Sequence, residues 1–457
     1  MNQTVMSNKV LYRSKPVKEL KGECRCPGDK SVSHRSIMMG SVAKGITRVR
    51  GFLEGEDNLA TLKAFQRMGI EIVIEKTGDI IVHGKGLYGL EKPGAPLYLG
   101  NSGTSIRLLT GLFAAQRFDL CLEGDESLSR RPMKRVTEPL KLMGAKIETS
   151  PTGTPPVKIW GGQTLTGIDF VLPVASAQVK SSILLAGLYA HGTTCVTENE
   201  PTRDHTERMF QAFQLEVMTE VLDENKEAVC LTGRRRITLQ GGQTLLAADI
   251  QVPADISSSA FFIVAALIAH KAEIIIKGIG VNPTRTGILP ILKAMGAKIS
   301  LENERIEGGE PVADLIVLSS ELVGIDIPRE TIPLAIDEFP IVFVAAACAK
   351  GITRLRHAEE LRVKESDRIA AMAEGLTKLG IETTVYPDGI DIVGGTLKSG
   401  RVNSLGDHRI AMAFTVAALR AEGVVEIEDC ANVATSFPNF ISMARSLGFD
   451  ITVEVGK

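Results

Sequence analysis

One short segment combines cations and carboxylates in a pattern suited to proton transfer on a phosphorylated substrate. In RVKESDR, Lys364 and Arg368 are four residues apart and Glu365 lies between them. If this segment opens a helix, the two cations share one face, which costs stability unless an anion binds between them. The upstream IDEFP segment adds Asp337 and Glu338. Carboxyl groups beside cations predict acid–base chemistry on a phosphate compound, with a structural ion-pair network as the alternative.

A second cluster opens the first apolar helix of the sequence. Lys30, Ser31 and Arg35 lie in GDKSVSHR, directly before the apolar stretch IMMGSVA. The N-terminus of a helix exposes unpaired N–H groups and a partial positive charge, both of which favour anions. We therefore expect these side chains at the end of a buried helix, in an anion site.

Glycines and arginines dominate the next polar turn. Gly100 and Gly103 in GNSGTSIR permit close approach of a ligand to the backbone. The spacing matches neither the Walker motif nor the dinucleotide fingerprint, so ATP and NAD are not indicated. Further on, SRRPMKR crowds Arg131 against other cations. The last turn, GDHRIAMA, places His408 and Arg409 before another apolar helix and predicts a further anion pocket.

These turns open six copies of one repeated unit. Each turn leads into an apolar helix, then a β-rich stretch, a second polar turn and an amphipathic helix. The repetition favours an α/β protein of two pseudo-symmetric domains with three copies each over a single doubly wound sheet. The six openings are GDKSVSHR from Gly28, GNSGTSIR from Gly100, ASAQVKSS from Ala175, ADISSSAF from Ala254, IDEFPIVF from Ile336 and GDHRIAMA from Gly406.

Glycine follows the second helix in five of the six copies, and it predicts a left-handed residue at the end of each helix. The third copy reads AFQLEV and lacks this glycine. The five residues are Gly69, Gly144, Gly296, Gly380 and Gly448.

Composition narrows the class of protein further. A chain of 457 residues with 44% hydrophobic and 23% charged residues is expected to fold into two or three domains. The net charge of -2 gives no general attraction to nucleic acid or to an anionic membrane. Seven scattered cysteines, no signal region and no apolar run of about 20 residues predict a cytoplasmic protein with reduced thiols. The close pair Cys24 and Cys26 lacks a nearby His, so no metal site is expected.

Eight motifs, in order along nearly the whole chain, resemble those of the 5-enolpyruvylshikimate-3-phosphate (EPSP) synthase family: PGDKSVSHR, GNSGTSIRLL, SRRPMKR, ASAQVKSS, NPTRTG, IDEFP, RVKESDR and GDHRIAMA. The resemblance implies transfer of the enolpyruvyl group of phosphoenolpyruvate to the 5-hydroxyl of shikimate 3-phosphate, with release of phosphate, by addition and elimination. This reaction belongs to the shikimate pathway to chorismate and the aromatic amino acids. No cofactor is implied, and a monomer is expected.

The same resemblance implies two pseudo-threefold inside-out α/β domains built from six βαβαββ-type units. One lobe would comprise residues 1–27 and 253–457, and the inserted lobe residues 28–252, with the active site in the cleft between them. Closure of the lobes on the first substrate would then assemble the site.

Site residues are implied motif by motif. Phosphoenolpyruvate would bind Lys30, Gly103, Arg131, Gln178, Arg368 and Arg409. Shikimate 3-phosphate would bind Lys30, Ser31, Arg35, Ser176, Ala177, Gln178, Thr202, Arg203, Asp337 and Lys364. Glu365 would protonate the methylene carbon, and Asp337 would act as base toward the 5-hydroxyl. Lys30 is a further proton-transfer candidate, and the choice between it and Asp337 stays open.

Three positions depart from the commoner bacterial pattern. Ala177 stands where a second Ser is frequent, Glu360 where Asn is frequent, and Thr435 where a Lys often helps to bind phosphoenolpyruvate. Gly103 keeps the small residue that leaves room for glyphosate, so inhibition by glyphosate is expected.

Two rival functions share the sixfold repeat. The sister transferase acting on UDP-N-acetylglucosamine is expected to carry a reactive Cys before the Arg-Pro of the second copy, but EGDESLSRRP has none. A DNA-encircling ring needs basic inner helices, whereas the opening helices here are apolar.

Overall fold

The computed structural model describes residues 10–222 and 233–456. The chain forms two compact units. The terminal unit comprises Met1–Pro27, Ala254–Arg305 and Val312–Lys457, and the inserted unit comprises Gly28–Pro253 and Ile306–Pro311. Within the described residues, no helix is long and apolar enough to cross a membrane.

The elements follow one another in a repeating order. The terminal unit begins with strands β1 (Val10–Lys15) and β2 (Glu19–Cys24). The inserted unit then contains α1 (Lys30–Val42), β3 (Lys44–Arg50), α2 (Glu56–Arg67), β4 (Ile72–Ile74), β5 (Ile80–Lys85), β6 (Leu97–Tyr98), α3 (Gly103–Phe113), β7 (Leu120–Glu123), α4 (Lys134–Leu142), β8 (Lys146–Glu148), β9 (Val157–Trp160), β10 (Asp169–Val171), α5 (Ala177–Gly187), β11 (Thr193–Glu198), α6 (His205–Ala212), β12 (Val217–Val221), β13 (Arg235–Gln240) and β14 (Ile250–Gln251).

From residue 254 onward the chain is in the terminal unit, apart from 306–311. Its elements are α7 (Ile256–Ile268), β15 (Lys271–Gly280), α8 (Ile288–Ala294), β16 (Lys298–Glu307), β17 (Glu310–Leu318), α9 (Ile332–Ala335), α10 (Phe339–Ala347), β18 (Ile352–Leu355), α11 (Arg368–Lys378), β19 (Thr383–Tyr386), β20 (Gly389–Val393), β21 (Gly400–Asn403), α12 (His408–Ala417), β22 (Val425–Glu428), α13 (Val433–Ser436), α14 (Phe440–Ser446) and β23 (Asp450–Val455).

The sheets repeat one topology, which confirms the predicted threefold repetition within each unit. In the described part of the inserted unit the strand orders are β14-β3-β5-β4, β6-β7-β9-β8 and β10-β11-β13-β12, each with one parallel outer pair. The terminal unit has β16-β17-β15-β2, β21-β22-β1-β23 and β18-β20-β19. In the last of these, parallel bridges such as Asp326 to Arg354 stand where the fourth strand would pair.

The opening helix of each repeat is buried, as its apolar sequence predicts. In α7 every residue except Ser258 is buried. Helices α1, α3 and α5 lie in the core of the inserted unit, and α7, α10 and α12 lie in that of the terminal unit. Gly111 lets α3 approach α5 closely, since a Cβ there would lie 2.0 Å from the carbonyl oxygen of Ser182. Each unit therefore has its own core of buried helices.

The predicted left-handed helix ends are confirmed. The five glycines have φ of +81°, +102°, +96°, +84° and +106° in chain order. In the third copy Gln214 takes the same conformation, with φ of +62°. The repeat thus requires a left-handed residue at this point even where the sequence does not supply glycine.

Candidate active site

The first opening helix presents Lys30 at its N-terminus. Asp29 caps α1 by accepting a hydrogen bond of 2.9 Å from the N–H of Val32. Lys30, the first residue of the helix, forms an ion pair with Asp57 at the start of α2. An ammonium group therefore lies at a helix start, where an anion is favoured. Its partner in this structure is the carboxylate of Asp57.

Two arginines lie beside Gly103, the first residue of α3. A Cβ on Gly103 would lie 2.8 Å from Nη1 of Arg131 and 2.9 Å from Nη1 of Arg107. Arg131 donates a hydrogen bond of 2.7 Å to the side chain of Asn101. The missing side chain of Gly103 thus lets two guanidinium groups come close to the start of α3.

Gln178 links this cluster to α5. Its amide oxygen accepts a hydrogen bond of 2.8 Å from Arg107, and its amide nitrogen donates one of 3.1 Å to Thr104. Burial, followed by the nearby charges of Arg131 and Arg135, lowers the pKa of Arg107 to about 10. An anion bound here would relieve that repulsion.

Arg35 is placed differently from the sequence prediction. Only 3% of the residue is exposed, and burial lowers its pKa to about 10. Its guanidinium donates hydrogen bonds to Thr206 at 2.7 Å, to Ser181 at 2.9 Å and to the carbonyl of Ser31 at 3.0 Å. The predicted position at the end of the helix is therefore wrong for the side chain, which faces the interior one turn along α1.

The remaining implied phosphate ligands lie at the start of α5 and in the loop before α6. Ser176 caps α5 by accepting a hydrogen bond of 3.4 Å from Val179, and Ala177 is the first helical residue. Thr202 donates a hydrogen bond of 2.7 Å to Glu198. Arg203 is half-buried, and its charge is one cause of the lowered pKa of Arg35.

In the terminal unit, the buried Arg368 is the centre of an ion network. Its side chain is 1% exposed. Nε lies 2.8 Å from Asp407, Nη2 lies 2.6 Å from Glu365, and Nη1 lies 3.6 Å from Asp337. Nη1 is buried and has no hydrogen-bond partner among the residues that the structure describes. A buried N–H group without an acceptor is costly, and a bound anion would satisfy it.

Lys364 lies before helix α11, and its ammonium also pairs with Asp337. The prediction of one helix through RVKESDR was wrong, because α11 begins only at Arg368, where Asp367 caps it by accepting from Ala370 at 3.0 Å. Lys364 instead follows the short 3-10 turn Glu359–Val363. Its ammonium nonetheless lies 3.5 Å from Asp337, so the two cations converge as expected.

The carboxyl group of Glu365 is held in its charged form. Burial favours the neutral acid, but the charge of Arg368 outweighs it, so the pKa of Glu365 lies below its ordinary value. Burial, followed by the charge of Arg409, lowers the pKa of His408 to about 3. The imidazole is therefore neutral near pH 7, and the cation of the last turn is Arg409, which donates to the carbonyl of Asp337 at 3.0 Å.

Two of the departures from the bacterial pattern have clear contacts. Glu360 pairs with Lys364 at 2.6 Å and so holds an implied substrate ligand. Thr435 donates a hydrogen bond of 2.8 Å to the carbonyl of Asn432 within its own turn, and it adds no charge. The short side chain of Ala177 offers no hydroxyl at the start of α5.

Sequence reasoning missed two functional candidates, Arg107 and Asp407. Arg107 lies four residues after Gly103, a spacing that returns a helical side chain to the same face. Asp407 has the helix-capping residue type and position, and it also accepts from Arg368. Both signals were present in the motifs GNSGTSIR and GDHRIAMA.

Comparison with known proteins decides the family. Residues 14–443 match the family model described as EPSP synthase (3-phosphoshikimate 1-carboxyvinyltransferase). The chain belongs to the EPSP synthase family. A relative from Methylococcus capsulatus named 3-phosphoshikimate 1-carboxyvinyltransferase is 57% identical over 97% of this chain and 99% of its own length. The family assignment also excludes the DNA-encircling ring.

Solved structures agree with this assignment. The structure of an EPSP synthase from Acinetobacter baumannii has a TM-score of 0.89 and 52% identity, covering 97% of this chain and all of that one. The enolpyruvyl transferase NikO from Streptomyces tendae has a TM-score of 0.78 at 17% identity, covering 98% of this chain and all of that one. The latter likeness shows the fold alone.

Proposed function

We propose that this chain transfers the enolpyruvyl group of phosphoenolpyruvate to the 5-hydroxyl of shikimate 3-phosphate. It is thus a transferase of the shikimate pathway to chorismate and the aromatic amino acids. The family match over residues 14–443 supports the reaction. The observation that carries the mechanism is Arg368, a buried cation with an unsatisfied N–H group that lies among three carboxylates.

The reaction proceeds by addition and elimination. A proton adds to the methylene carbon of phosphoenolpyruvate, and the adjacent carbon becomes electrophilic. The 5-hydroxyl oxygen adds to that carbon as its proton passes to a base. The tetrahedral intermediate then loses phosphate together with the bridging oxygen, and loss of a proton from the methyl group restores the double bond.

Glu365 is the proposed acid and Asp337 the proposed base, with Lys30 as the alternative proton-transfer group. Without substrate, Glu365 is paired with Arg368 and its pKa is lowered. A substrate phosphate on Arg368 would compensate the cation that keeps Glu365 ionised. The pKa of Glu365 would then rise, and the carboxyl group would gain the proton that it donates.

The inserted unit supplies most of the proposed anion ligands. Lys30, Arg131 and Gln178 would bind phosphoenolpyruvate beside Gly103, where the absence of a side chain lets two guanidinium groups come close to the start of α3. Ser31, Arg35, Ser176, Ala177, Gln178, Thr202 and Arg203, together with Lys30, would bind shikimate 3-phosphate. In the terminal unit, Arg368 and Arg409 would complete the ligands of phosphoenolpyruvate. Asp337 and Lys364 would complete those of shikimate 3-phosphate.

One reaction therefore uses groups from both units, with lobes proposed at residues 1–27 and 253–457 and at residues 28–252. We expect neither unit to be active alone. The proposal includes a cytoplasmic monomer that requires no cofactor.

The acceptor substrate tests the proposal. Purified protein should release phosphate from phosphoenolpyruvate when shikimate 3-phosphate is present. It should release none when UDP-N-acetylglucosamine replaces that acceptor. Release only with the UDP-sugar would refute the substrate assignment and favour the sister transferase.

A further inference from the structure

A lysine without any exposed surface lies behind the proposed phosphate ligands of the inserted unit. Lys180 is the fourth residue of α5, and its side chain is 0% exposed. Its ammonium lies 3.1 Å and 3.2 Å from the two carboxylate oxygens of Glu198 and 2.8 Å from Glu207. Burial disfavours the charge, but Glu207 and Glu198 outweigh it, so the pKa of Lys180 lies above its ordinary value. The group is a charged, fully buried ion cluster.

This cluster holds the hydroxyl and the carbonyl of Thr202. The hydroxyl of Thr202 donates a hydrogen bond of 2.7 Å to Glu198, and its carbonyl accepts one of 3.5 Å from Lys180. Residues 199–204 belong to no helix or strand. The position of Thr202 therefore depends on its contacts with the side chains of Glu198 and Lys180, and not on the backbone hydrogen bonds of a helix or strand.

Arg35 joins the same support from α1. Its guanidinium donates hydrogen bonds to the hydroxyls of Ser181 and Thr206, and these two hydroxyls are 2.7 Å apart and hydrogen-bonded. Ser181 is next to Lys180 in the sequence, and Thr206 is next to Glu207. Glu207 also favours the charged form of Arg35. The contacts of Lys180 and Arg35 thus connect α1, α5 and α6.

We propose that Lys180 and Glu198 are positioning residues that hold Thr202 for the phosphate of shikimate 3-phosphate. This inference rests on the proposed function, which places Thr202 in that site. Lys180 itself does not contact the substrate, because its ammonium is buried and its N–H groups already have acceptors in the protein. Buried ion clusters are often no more stabilising than apolar residues of similar size, which favours positioning as the role of this one.

Two leucine variants form a matched pair for the test. Glu198→Leu and Glu207→Leu each remove one buried carboxylate and each leave Lys180 with one partner, but only Glu198 contacts Thr202. Glu198→Leu should raise the KM for shikimate 3-phosphate about tenfold or more, since it removes a hydrogen bond to a charged acceptor. Its kcat and its KM for phosphoenolpyruvate should stay within about threefold. Glu207→Leu should raise the KM for shikimate 3-phosphate clearly less than Glu198→Leu does, because Glu207 does not contact Thr202. Glu198→Gln, whose amide oxygen still accepts from Thr202, should recover most of the loss.

The competing explanation is that the cluster only stabilises the fold. Equal effects of the two leucine variants on the KM for shikimate 3-phosphate would overturn the inference, as would an unchanged KM in Glu198→Leu. If Glu198→Leu does not fold, Glu198→Asp keeps the charge but withdraws the acceptor from Thr202, and its KM must rise. A wild-type protein that is inactive with shikimate 3-phosphate would instead refute the proposed function itself.

Discussion

At the scale of residues, the charge state of Glu365 decides the proposed proton transfer. Glu365→Gln keeps the size of the side chain but cannot donate an acidic proton. We expect phosphate release with shikimate 3-phosphate to fall by about 10² to 10⁴. Steady-state kcat measures this loss, and Glu374→Gln, on the exposed face of α11, is the control that should keep full activity. Near-normal kcat in Glu365→Gln would assign the acid elsewhere.

The variant Gly103→Ala, which adds a methyl group, should weaken the binding of phosphoenolpyruvate. Its Cβ would lie within 2.9 Å of Arg131 and Arg107, so both guanidinium groups must shift. We expect the wild type to be inhibited by glyphosate, and Gly103→Ala to raise both the KM for phosphoenolpyruvate and the inhibitor concentration needed for half inhibition. Gly94→Ala, where a Cβ meets nothing within 4 Å, is the matched control. A wild type fully active at millimolar glyphosate would contradict the prediction.

The sequence predicts which turns carry charge better than it predicts what each charge contacts. Lys364, Arg368 and Asp337 converge as their motifs suggest. Arg35 is buried one turn along α1 and does not lie at the helix end as predicted, because its partners Thr206 and Ser181 come from segments more than 140 residues away along the chain. Contacts of that range depend on tertiary packing, which a local pattern does not contain.

At the scale of elements, the helix ends of the repeat are determined by backbone conformation. Gln214 has φ of +62°, which costs an ordinary residue about 1–2 kcal/mol. Gln214→Gly should remove that cost. Glycine also gives the unfolded chain more freedom, which lowers the free energy of unfolding by about 0.5–1 kcal/mol. A net stabilisation of up to about 1.5 kcal/mol is therefore expected from urea unfolding.

The neighbouring Gln211 gives the control for this prediction. It is exposed inside α6, where Gly costs about 1 kcal/mol, so Gln211→Gly should destabilise the protein. Destabilisation by both glycines would show that the conformation of Gln214 carries no strain.

The repeated elements could be predicted because apolar helices and terminal glycines recur in the sequence. The start of α11 was missed, since charge spacing suggested a helix from Arg362 while Asp367 carried the cap. The capping contact from Asp367 to Ala370 ends the irregular segment there. The pairing of β1 with β22 and of β14 with β3 could not be predicted from local sequence patterns either, because the paired strands lie far apart in the chain.

At the scale of the whole molecule, the Arg368 network links stability to pH. Arg368 keeps the pKa of Asp407 below its ordinary value of 3.8, despite burial, which raises it. A carboxyl group with a lowered folded pKa stabilises the fold fully above the unfolded pKa, and this contribution is lost as pH falls through the folded value. Acid should therefore weaken the terminal unit below about pH 3.8.

Asp407→Asn tests this linkage. Removing one partner of a buried ion pair should cost about 3–5 kcal/mol near pH 7, and the difference from wild type should shrink below the ordinary pKa of Asp407. Urea unfolding at pH 7 and in acid measures both terms. Asp326→Asn breaks an exposed pair with Arg354 and should cost at most about 1 kcal/mol. An equal loss for Asp407→Asn at all pH values would contradict the linkage.

The bond broken in phosphoenolpyruvate tests the central claim most directly. Protein is incubated with shikimate 3-phosphate and phosphoenolpyruvate that carries oxygen-18 in the bridge between carbon and phosphorus, and the released phosphate is analysed by mass spectrometry. Enolpyruvyl transfer breaks the bond between carbon and oxygen, so we predict that the label appears in the phosphate. Unlabelled phosphate, with the label retained in the organic product, would mean cleavage between oxygen and phosphorus and would contradict addition and elimination.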